Sequence, residues 1–227
     1  MKYILLSAFF LISSICFSQN ESTILVIPMN QNCIKLDRKT EKMLNYHNVN
    51  IDSVKKVLLN LSFNQLKLNF PDYSLLQLVN NKLYSETSDS LNILYQWDSF
   101  QLEKIKNSKG FQKIMLNNEE RLPYKYYGRA ISTNDMEELR KLQLQYKFMY
   151  VFIINKFETI TKRPFADKTI LCLHVEIFNN KLQKIFGTKS IWKCSITTKM
   201  YSSVFLYYVQ KAFNEYYLLI KKYLKQK

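Results

Sequence analysis

Uninterrupted apolar runs along the chain predict buried β-strands. The first run, residues 23–27, is β-branched or apolar throughout and is stopped by Pro28. Such a strand is typical of the centre of a sheet that is covered on both faces. Three further strands are predicted at residues 148–154, 169–178 and 184–197, the last bent near Gly187, with a hairpin turn at Asn179-Asn180-Lys181.

Apolar positions three or four residues apart predict helices between these strands. The first helix is capped by Asn50 or Asp52 and ends at Pro71. The polar stretch 30–50 is predicted to be a loop with a helical turn, and residues 107–130 have the least regular pattern. The other predicted helices are residues 74–84, residues 90–106, a helix beginning at Ser132, Thr133 or Asn134 and reaching Tyr146, and residues 201–224.

The last predicted helix has a wide aromatic stripe, which favours packing on a sheet over binding a membrane surface or a partner helix. Its apolar residues are Phe205, Tyr208, Ala212, Phe213, Tyr216, Leu219, Ile220 and Tyr223. The pattern as a whole predicts an α/β (α+β) protein. We expect a single mixed or antiparallel sheet of about four to five strands, with helices packed on it and a long amphipathic helix at the C-terminus.

The N-terminus has the layout of a cleavable export signal. Lys2 precedes an apolar run, and the small residue Ser18 precedes Gln19, so we predict a signal peptide at residues 1–18 with cleavage between Ser18 and Gln19. The alternative is a lipoprotein acylated at Cys16, which the β-branched Ile15 disfavours. Residues 19–227 are then expected to form a single α/β domain without a transmembrane span.

The charge of the chain has two interpretations. Its 33 Lys and Arg against 18 Asp and Glu give a net charge of +15, which would suit an anionic lipid or glycan surface. The composition, rich in Lys, Asn, Ile, Tyr and Phe, favours the other interpretation, the codon bias of a genome of low GC content. Because the protein is expected to leave the cytoplasm, we predict no nucleic-acid partner.

Cysteine leaves one question open. Without Cys16 the chain keeps Cys33, Cys172 and Cys194. Cys172 and Cys194 are the closer pair in sequence, but a turn at residues 179–181 would place them out of register, so we expect buried free thiols rather than a disulfide.

The residues that commonly carry catalysis are sparse. The three glycines lie far apart, so no phosphate-binding loop is predicted, and Glu119-Glu120 and Glu137-Glu138 are sequence neighbours that point in different directions. Cys172 and His174 on one strand face are half of a metal site at most. We therefore assign no catalytic, cofactor-binding or metal-binding residue.

One segment combines aromatic rings with cations, between Pro123 and Arg129. Tyrosine and arginine dominate interface hot spots, and Pro and Gly suit an exposed loop. The alternative is that the rings pack onto the sheet. We predict a contact surface, named here the aromatic–cationic segment, at Tyr124, Lys125, Tyr126, Tyr127 and Arg129.

The order strand, helices, strand, hairpin and long helix resembles the periplasmic TolB amino-terminal and CsgG-like domains. The opening strand Ile24-Leu25-Val26-Ile27-Pro28-Met29 and the later meander carry this resemblance, and Ile154-Asn155-Lys156-Phe157 is similar to a strand end in small secreted or periplasmic bacterial proteins of uncharacterised role. Extra helices at residues 74–106 and Asn179-Asn180 in the turn depart from the pattern. Fold resemblance by itself assigns no activity.

These observations predict an exported, non-enzymatic binding protein, an accessory or assembly component of a bacterial envelope with an envelope protein as partner. Its location would be the periplasm, the outer membrane or the cell exterior. One alternative is a peripheral binder of anionic lipid or glycan, whose binding would fall steeply with salt. The other is an enzyme of unrecognised type, which a deep pocket holding His174 or clustered carboxylates would support.

Overall fold

A computed structural model describes residues 22–79, 82–85, 91–92, 101–105, 126–130, 133–161 and 168–226. The helices are α1 (Arg38–Tyr46), α2 (Ile51–Asn69), α3 (Thr133–Tyr146) and α4 (Ser202–Lys225), with a short 3₁₀ turn at Gln31–Cys33. The strands are β1 (Ser22–Ile27), β2 (Ile34–Lys35), β3 (Tyr73–Val79), β4 (Lys82–Ser85), β5 (Leu91–Asn92), β6 (Gln101–Ile105), β7 (Tyr126–Ala130), β8 (Tyr150–Thr161), β9 (Lys168–Asn179), β10 (Lys184–Lys189) and β11 (Trp192–Ser195).

Nine of these strands form one mixed sheet. Seven follow the order β10-β9-β8-β1-β3-β4-β5, while β11 also pairs with β9 and β2 with β8. The pairs β1–β3, β1–β8 and β2–β8 are parallel and the other pairs are antiparallel. Strands β6 and β7 form a separate antiparallel pair. The predicted mixed α/β class is confirmed, but the predicted four to five strands are too few.

The missing strands lie where helices were predicted. The described parts of residues 74–84 fall in β3 and β4, and those of residues 90–106 fall in β5 and β6, so both helix predictions are wrong there. The run Leu75-Leu76-Gln77-Leu78 fits both the helical period and the pattern of a strand that is buried on both faces. Pairing with β1 decides between them, because a central strand needs hydrogen-bond partners on both sides.

Strand β1 lies centrally, as predicted, and its side chains enter two cores. Ile24 and Val26 belong to a large core that α1, α2 and α4 cover. Leu25 and Ile27 belong to a smaller core that α3 covers on the opposite face. The sheet therefore lies between helices on both faces.

Two helix starts follow from side-chain caps. Asn50 Oδ1 accepts from the Ser53 amide at 3.0 Å and begins α2, as predicted. Asp37 Oδ1 accepts from the Thr40 amide at 2.8 Å and begins α1. The segment expected to be a loop with one helical turn therefore contains a nine-residue helix.

The C-terminal helix is confirmed, and its aromatic stripe is buried. The side chains of Phe205, Phe213 and Tyr216 are at most 1% exposed. The Tyr217 hydroxyl pairs with Ser62 Oγ of α2 at 2.8 Å, and the Tyr216 hydroxyl donates to the Thr188 carbonyl of β10 at 3.1 Å. The apolar stripe of α4 therefore packs on the sheet, as predicted. Within the described residues, none of the helices combines the length and apolar character needed to cross a bilayer.

The predicted hairpin between β9 and β10 is present, with a different residue at positive φ. Asn179 Oδ1 accepts from the amides of Lys181 and Gln183 at 3.0 and 2.9 Å. The left-handed position falls on Leu182, with φ of 58°, rather than on an asparagine.

The strand predicted over residues 184–197 is divided into β10 and β11, and β10 has a β-bulge between Lys184 and Phe186, next to the predicted bend at Gly187. Ser190 Oγ accepts from the Leu173 amide, and the Ser190 amide donates to the Leu173 carbonyl, both at 2.8 Å. Ser190 thus makes two bonds to β9, and β11 continues the register of β10, with Trp192 opposite Leu171.

The three described cysteines are free thiols, as expected. Cys194 lies opposite Thr169 on β9, three residues from Cys172. Cys194 belongs to the large core, whereas Cys172 alternates with the large-core residues Leu171 and Leu173 and faces the other way. Their Cβ atoms therefore cannot meet.

Candidate functional site

The structure describes part of the aromatic–cationic segment. Tyr124 and Lys125 lie outside the described residues, as does the predicted signal cleavage site. Tyr126, Tyr127 and Arg129 belong to β7, with Tyr126 opposite Ile105 and Arg129 opposite Leu102. The expectation of an irregular loop is therefore wrong from Tyr126 onward.

Helix α3 covers the apolar half of one face of the large sheet. Strand β7 lies over the other half of that face, which is polar. A β-bulge at Asn155, between the pairs Ile154–Val175 and Lys156–His174, creates that half. The extra residue keeps Phe157 in the large core while Lys156 shares the opposite face with His174. Polar side chains thus continue a face that begins with Val151 and Ile153.

Three contacts hold Tyr127 to this face. Its backbone amide donates to His174 Nδ1 at 3.0 Å. Its ring meets the His174 ring edge to face, with centroids 5.4 Å apart. The Lys156 ammonium lies 3.9 Å from the centre of the Tyr127 ring, a cation–π distance. Tyr127 is therefore an anchor between β7 and the large sheet.

The hydrogen bonds of His174 define its tautomer. Because Nδ1 accepts from the Tyr127 amide, it carries no proton. Nε2 lies 3.0 Å from Glu158 Oε1 and must hold the proton that it donates. His174 is therefore neutral while it binds β7.

The surroundings of His174 favour this neutral form. Burial lowers the pKa of His174, against the opposing effect of its bond to Glu158. Burial would raise the pKa of the Glu158 carboxyl, but hydrogen bonds from His174 and Lys156 outweigh it and hold this pKa at about 2. With His174 neutral, Lys156 supplies the positive charge beside Glu158.

A second buried ion pair lies on the same face. Glu176 is fully buried and pairs with Lys184 of β10. Asn155 Nδ2 donates to Glu176 Oε2 at 2.9 Å, while the buried Asn155 Oδ1 has no partner among the described residues. The bulge residue is thus fixed by a carboxylate of the neighbouring strand.

Acid should weaken the structure through His174. Because the pKa of folded His174 is below its ordinary 6.5, the unfolded chain takes up the proton first as pH falls. The contribution of His174 to the free energy of unfolding should fall by at most about 1.4 kcal/mol per pH unit below about pH 6.5. Urea unfolding between about pH 7.5 and about pH 5 would measure this loss.

Two variants separate His174 from other titrating groups. His174→Gln keeps a donor for Glu158 but cannot take up a proton, so its stability should depend less on pH. His47→Gln removes the other histidine of the chain and should keep the wild-type dependence. Equal pH dependence in wild type and His174→Gln would contradict the prediction. The other charged groups near His174, which are Lys156, Glu158 and Lys189, are unchanged in both.

This arrangement suits a structural junction better than a catalytic one. A general base needs an available lone pair, and both His174 nitrogens are in hydrogen bonds. Burial raises the pKa of Cys172 to about 12, so its thiol is a poor nucleophile. Among the described residues, no group of three His, Cys, Asp or Glu side chains could hold a metal ion.

Lys156 and Glu158 are site residues that sequence reasoning missed. The available signal was the polar alternation at Lys156 and Glu158 on β8 beside His174 and Glu176 on β9. Two neighbouring strands with polar residues on the same face indicate a polar covering layer. The bulge at Asn155 concealed this, because it shifts the alternation by one residue.

The fold and this junction define a mixed α/β protein with a small second sheet on its polar face. No known protein family matches the chain, and a search of curated proteins finds no match either. The resemblance to TolB amino-terminal and CsgG-like domains therefore stays a prediction.

Proposed function

We propose that the chain is an exported, non-enzymatic binding protein, an accessory or assembly component of a bacterial envelope. Its partner would be an envelope protein that contacts the aromatic–cationic segment. The observation that supports this most is the anchoring of β7 through Tyr127.

Anchoring favours binding because it lowers the entropic cost of ordering the contact element. The Tyr127 amide bond to His174 and the Lys156 contact hold the middle of β7 against the large sheet. A strand held in this way presents its neighbours in one backbone conformation before a partner arrives. Tyrosine and arginine, the residue types of Tyr126 and Arg129, commonly dominate interface energies.

The non-enzymatic part of the proposal is supported by how the reactive side chains are used. The hydrogen bonds of His174 join two sheets, and Cys172 is buried with a raised pKa. Glu158 and Glu176 are each paired with a lysine on the same face. The polar groups among them stabilise the sheet face on which β7 lies.

Crosslinking in intact native cells, followed by affinity purification and mass spectrometry, tests the proposal. A reproducible envelope protein should be recovered with the wild-type chain. Tyr126→Ala/Arg129→Ala should lower its recovery about tenfold, as expected for the loss of a hot spot. The matched control is Tyr46→Ala/Lys42→Ala, which removes one aromatic ring and one cation from the exposed surface of α1.

Recovery of the chain without an envelope partner would overturn the proposed function. Equal loss of the partner in both double variants would overturn the assignment of the surface. The purified chain should begin at Gln19, since that is the predicted first mature residue. A chain recovered from the cytoplasm with its first residues intact would contradict export.

A further inference from the structure

Helices α2 and α4 lie side by side on the sheet face opposite the one that carries β7. Both cover the large core, and two polar contacts join them. Ser62 Oγ lies 2.8 Å from the Tyr217 hydroxyl, and Asn69 Nδ2 donates to Asn214 Oδ1 at 2.9 Å. The sides of α2 and α4 that point away from the sheet therefore belong to one outer surface of the molecule.

The charge of the chain is distributed unevenly between the two faces of the sheet. Helices α2 and α4 together have seven lysines and two carboxylates, a net charge of +5. Helix α3, on the opposite face, has two cations and three carboxylates, a net charge of −1. A codon bias raises the lysine content of every segment, so it does not account for a difference in sign between the two faces.

Five of the seven lysines are exposed to solvent. The two half-buried ones, Lys55 and Lys221, lie 3.6 and 3.9 Å from the carboxylates of Asp52 and Asp72. Of the two carboxylates within these helices, Asp52 thus lies beside Lys55, and Glu215 accepts from the Trp192 indole at 3.0 Å. The exposed lysines are Lys56, Lys67, Lys211, Lys222 and Lys225.

Large apolar side chains are exposed on the same two helices. Leu68 is 68% exposed, Tyr207 is 52% exposed and Leu218 is 42% exposed. On α4 these residues share the side opposite the buried stripe with the lysines, because the spacing is helical. The Lys211 ammonium, for example, lies 5.2 Å from the centre of the Tyr207 ring. The surface named here the helical face consists of Lys56, Lys67, Leu68, Tyr207, Lys211, Leu218, Lys222 and Lys225.

We propose that the helical face docks the protein on an anionic lipid bilayer. The exposed ammonium groups bind lipid phosphates, and Leu68, Tyr207 and Leu218 enter the layer between head groups and acyl chains. Positive charge selects anionic over neutral lipid, while the apolar side chains favour a bilayer over a soluble acidic polymer. Because β7 lies on the opposite face, this docking does not depend on the proposed protein contact and would leave β7 turned away from the membrane.

Co-sedimentation of the purified chain with phosphatidylglycerol vesicles tests the proposal, with phosphatidylcholine vesicles as the neutral comparison. Lys56→Gln/Lys222→Gln should weaken binding to phosphatidylglycerol about tenfold, since each lysine near an anionic surface adds to the affinity. Arg140→Gln/Lys141→Gln is the matched control, because it removes two exposed cations from α3 on the opposite face. It should bind like wild type. Both variants keep the same N-terminus, so any binding by the predicted signal is equal in the two.

The apolar contribution is tested by Leu68→Ala, which should weaken vesicle binding about fivefold and leave binding to soluble polyglutamate unchanged. Leu144→Ala is its control, because Leu144 is an exposed leucine of α3, and it should have no effect on vesicle binding.

Equal binding to both kinds of vesicle by the folded wild-type chain would overturn the proposal, and so would absence of binding. Equal weakening by the two charge variants would mean diffuse attraction rather than docking through the helical face. Unchanged vesicle binding in a folded Leu68→Ala chain would overturn the lipid assignment and favour an acidic protein as the partner of this face. None of these results would bear on the proposed contact at β7, which the crosslinking experiment tests separately.

Discussion

Replacing Lys184 with methionine should lower the free energy of unfolding by about 3 kcal/mol at pH 7. The Glu176 carboxylate is fully buried, and the variant would deprive it of the cation with which it pairs. The lower end of the range for buried pairs applies, because the Lys184 side chain is 28% exposed. Urea unfolding followed by circular dichroism would measure the loss.

A second substitution makes this prediction specific. Glu176→Gln in the Lys184→Met background removes the buried charge and keeps an acceptor for Asn155 Nδ2, so it should restore more than half of the stability. Lys141→Met breaks the exposed pair with Glu138 instead and should change stability far less. A double variant no more stable than Lys184→Met would show that charge burial is not the cause.

A large loss of stability is expected from truncating Phe213 of α4. Its side chain is 1% exposed, and its ring meets Phe157 of β8 edge to face at 5.5 Å. Phe213→Ala should cost about 3–5 kcal/mol, because the cavity would lie between α4 and the sheet. The measurement is the unfolding free energy from urea titration.

Leu218 gives the control on the same helix. It is 42% exposed, so Leu218→Ala should cost about 0.5 kcal/mol or less. Similar losses at both positions would mean that the packing of Phe213 against β8 does not determine the stability of α4. Retained wild-type stability in Phe213→Ala would contradict the buried contact itself.

Elements with one clear period could be predicted from the sequence. The β-branched run of β1, the Asn50 cap of α2 and the apolar stripes of α2, α3 and α4 each fit a single structure. Residues 74–79 did not, because leucines at positions 75, 76 and 78 satisfy both helical and two-sided strand patterns. Their state depends on β1, a partner about fifty residues away in sequence, as is general for strands.

The candidate site was only partly predictable for a related reason. Tyr127 stood out by local composition, but its contacts Lys156 and His174 lie on two strands whose register depends on the bulge at Asn155. No local signal fixes that register. The hydrogen bonds that define the His174 tautomer come from two other strands, β7 and β8.

The interruption at Ser190 also bears on how the protein behaves at high concentration. A long straight strand at the end of a sheet is a template for other chains, and cross-β aggregation begins at such templates. Here β9 is bordered by two short strands, with a register shift after Lys184 and a break at Ser190. Lysines at positions 184, 189 and 193 add charge along this border. We therefore expect this border of the sheet to be a poor template for pairing with a second copy of the chain.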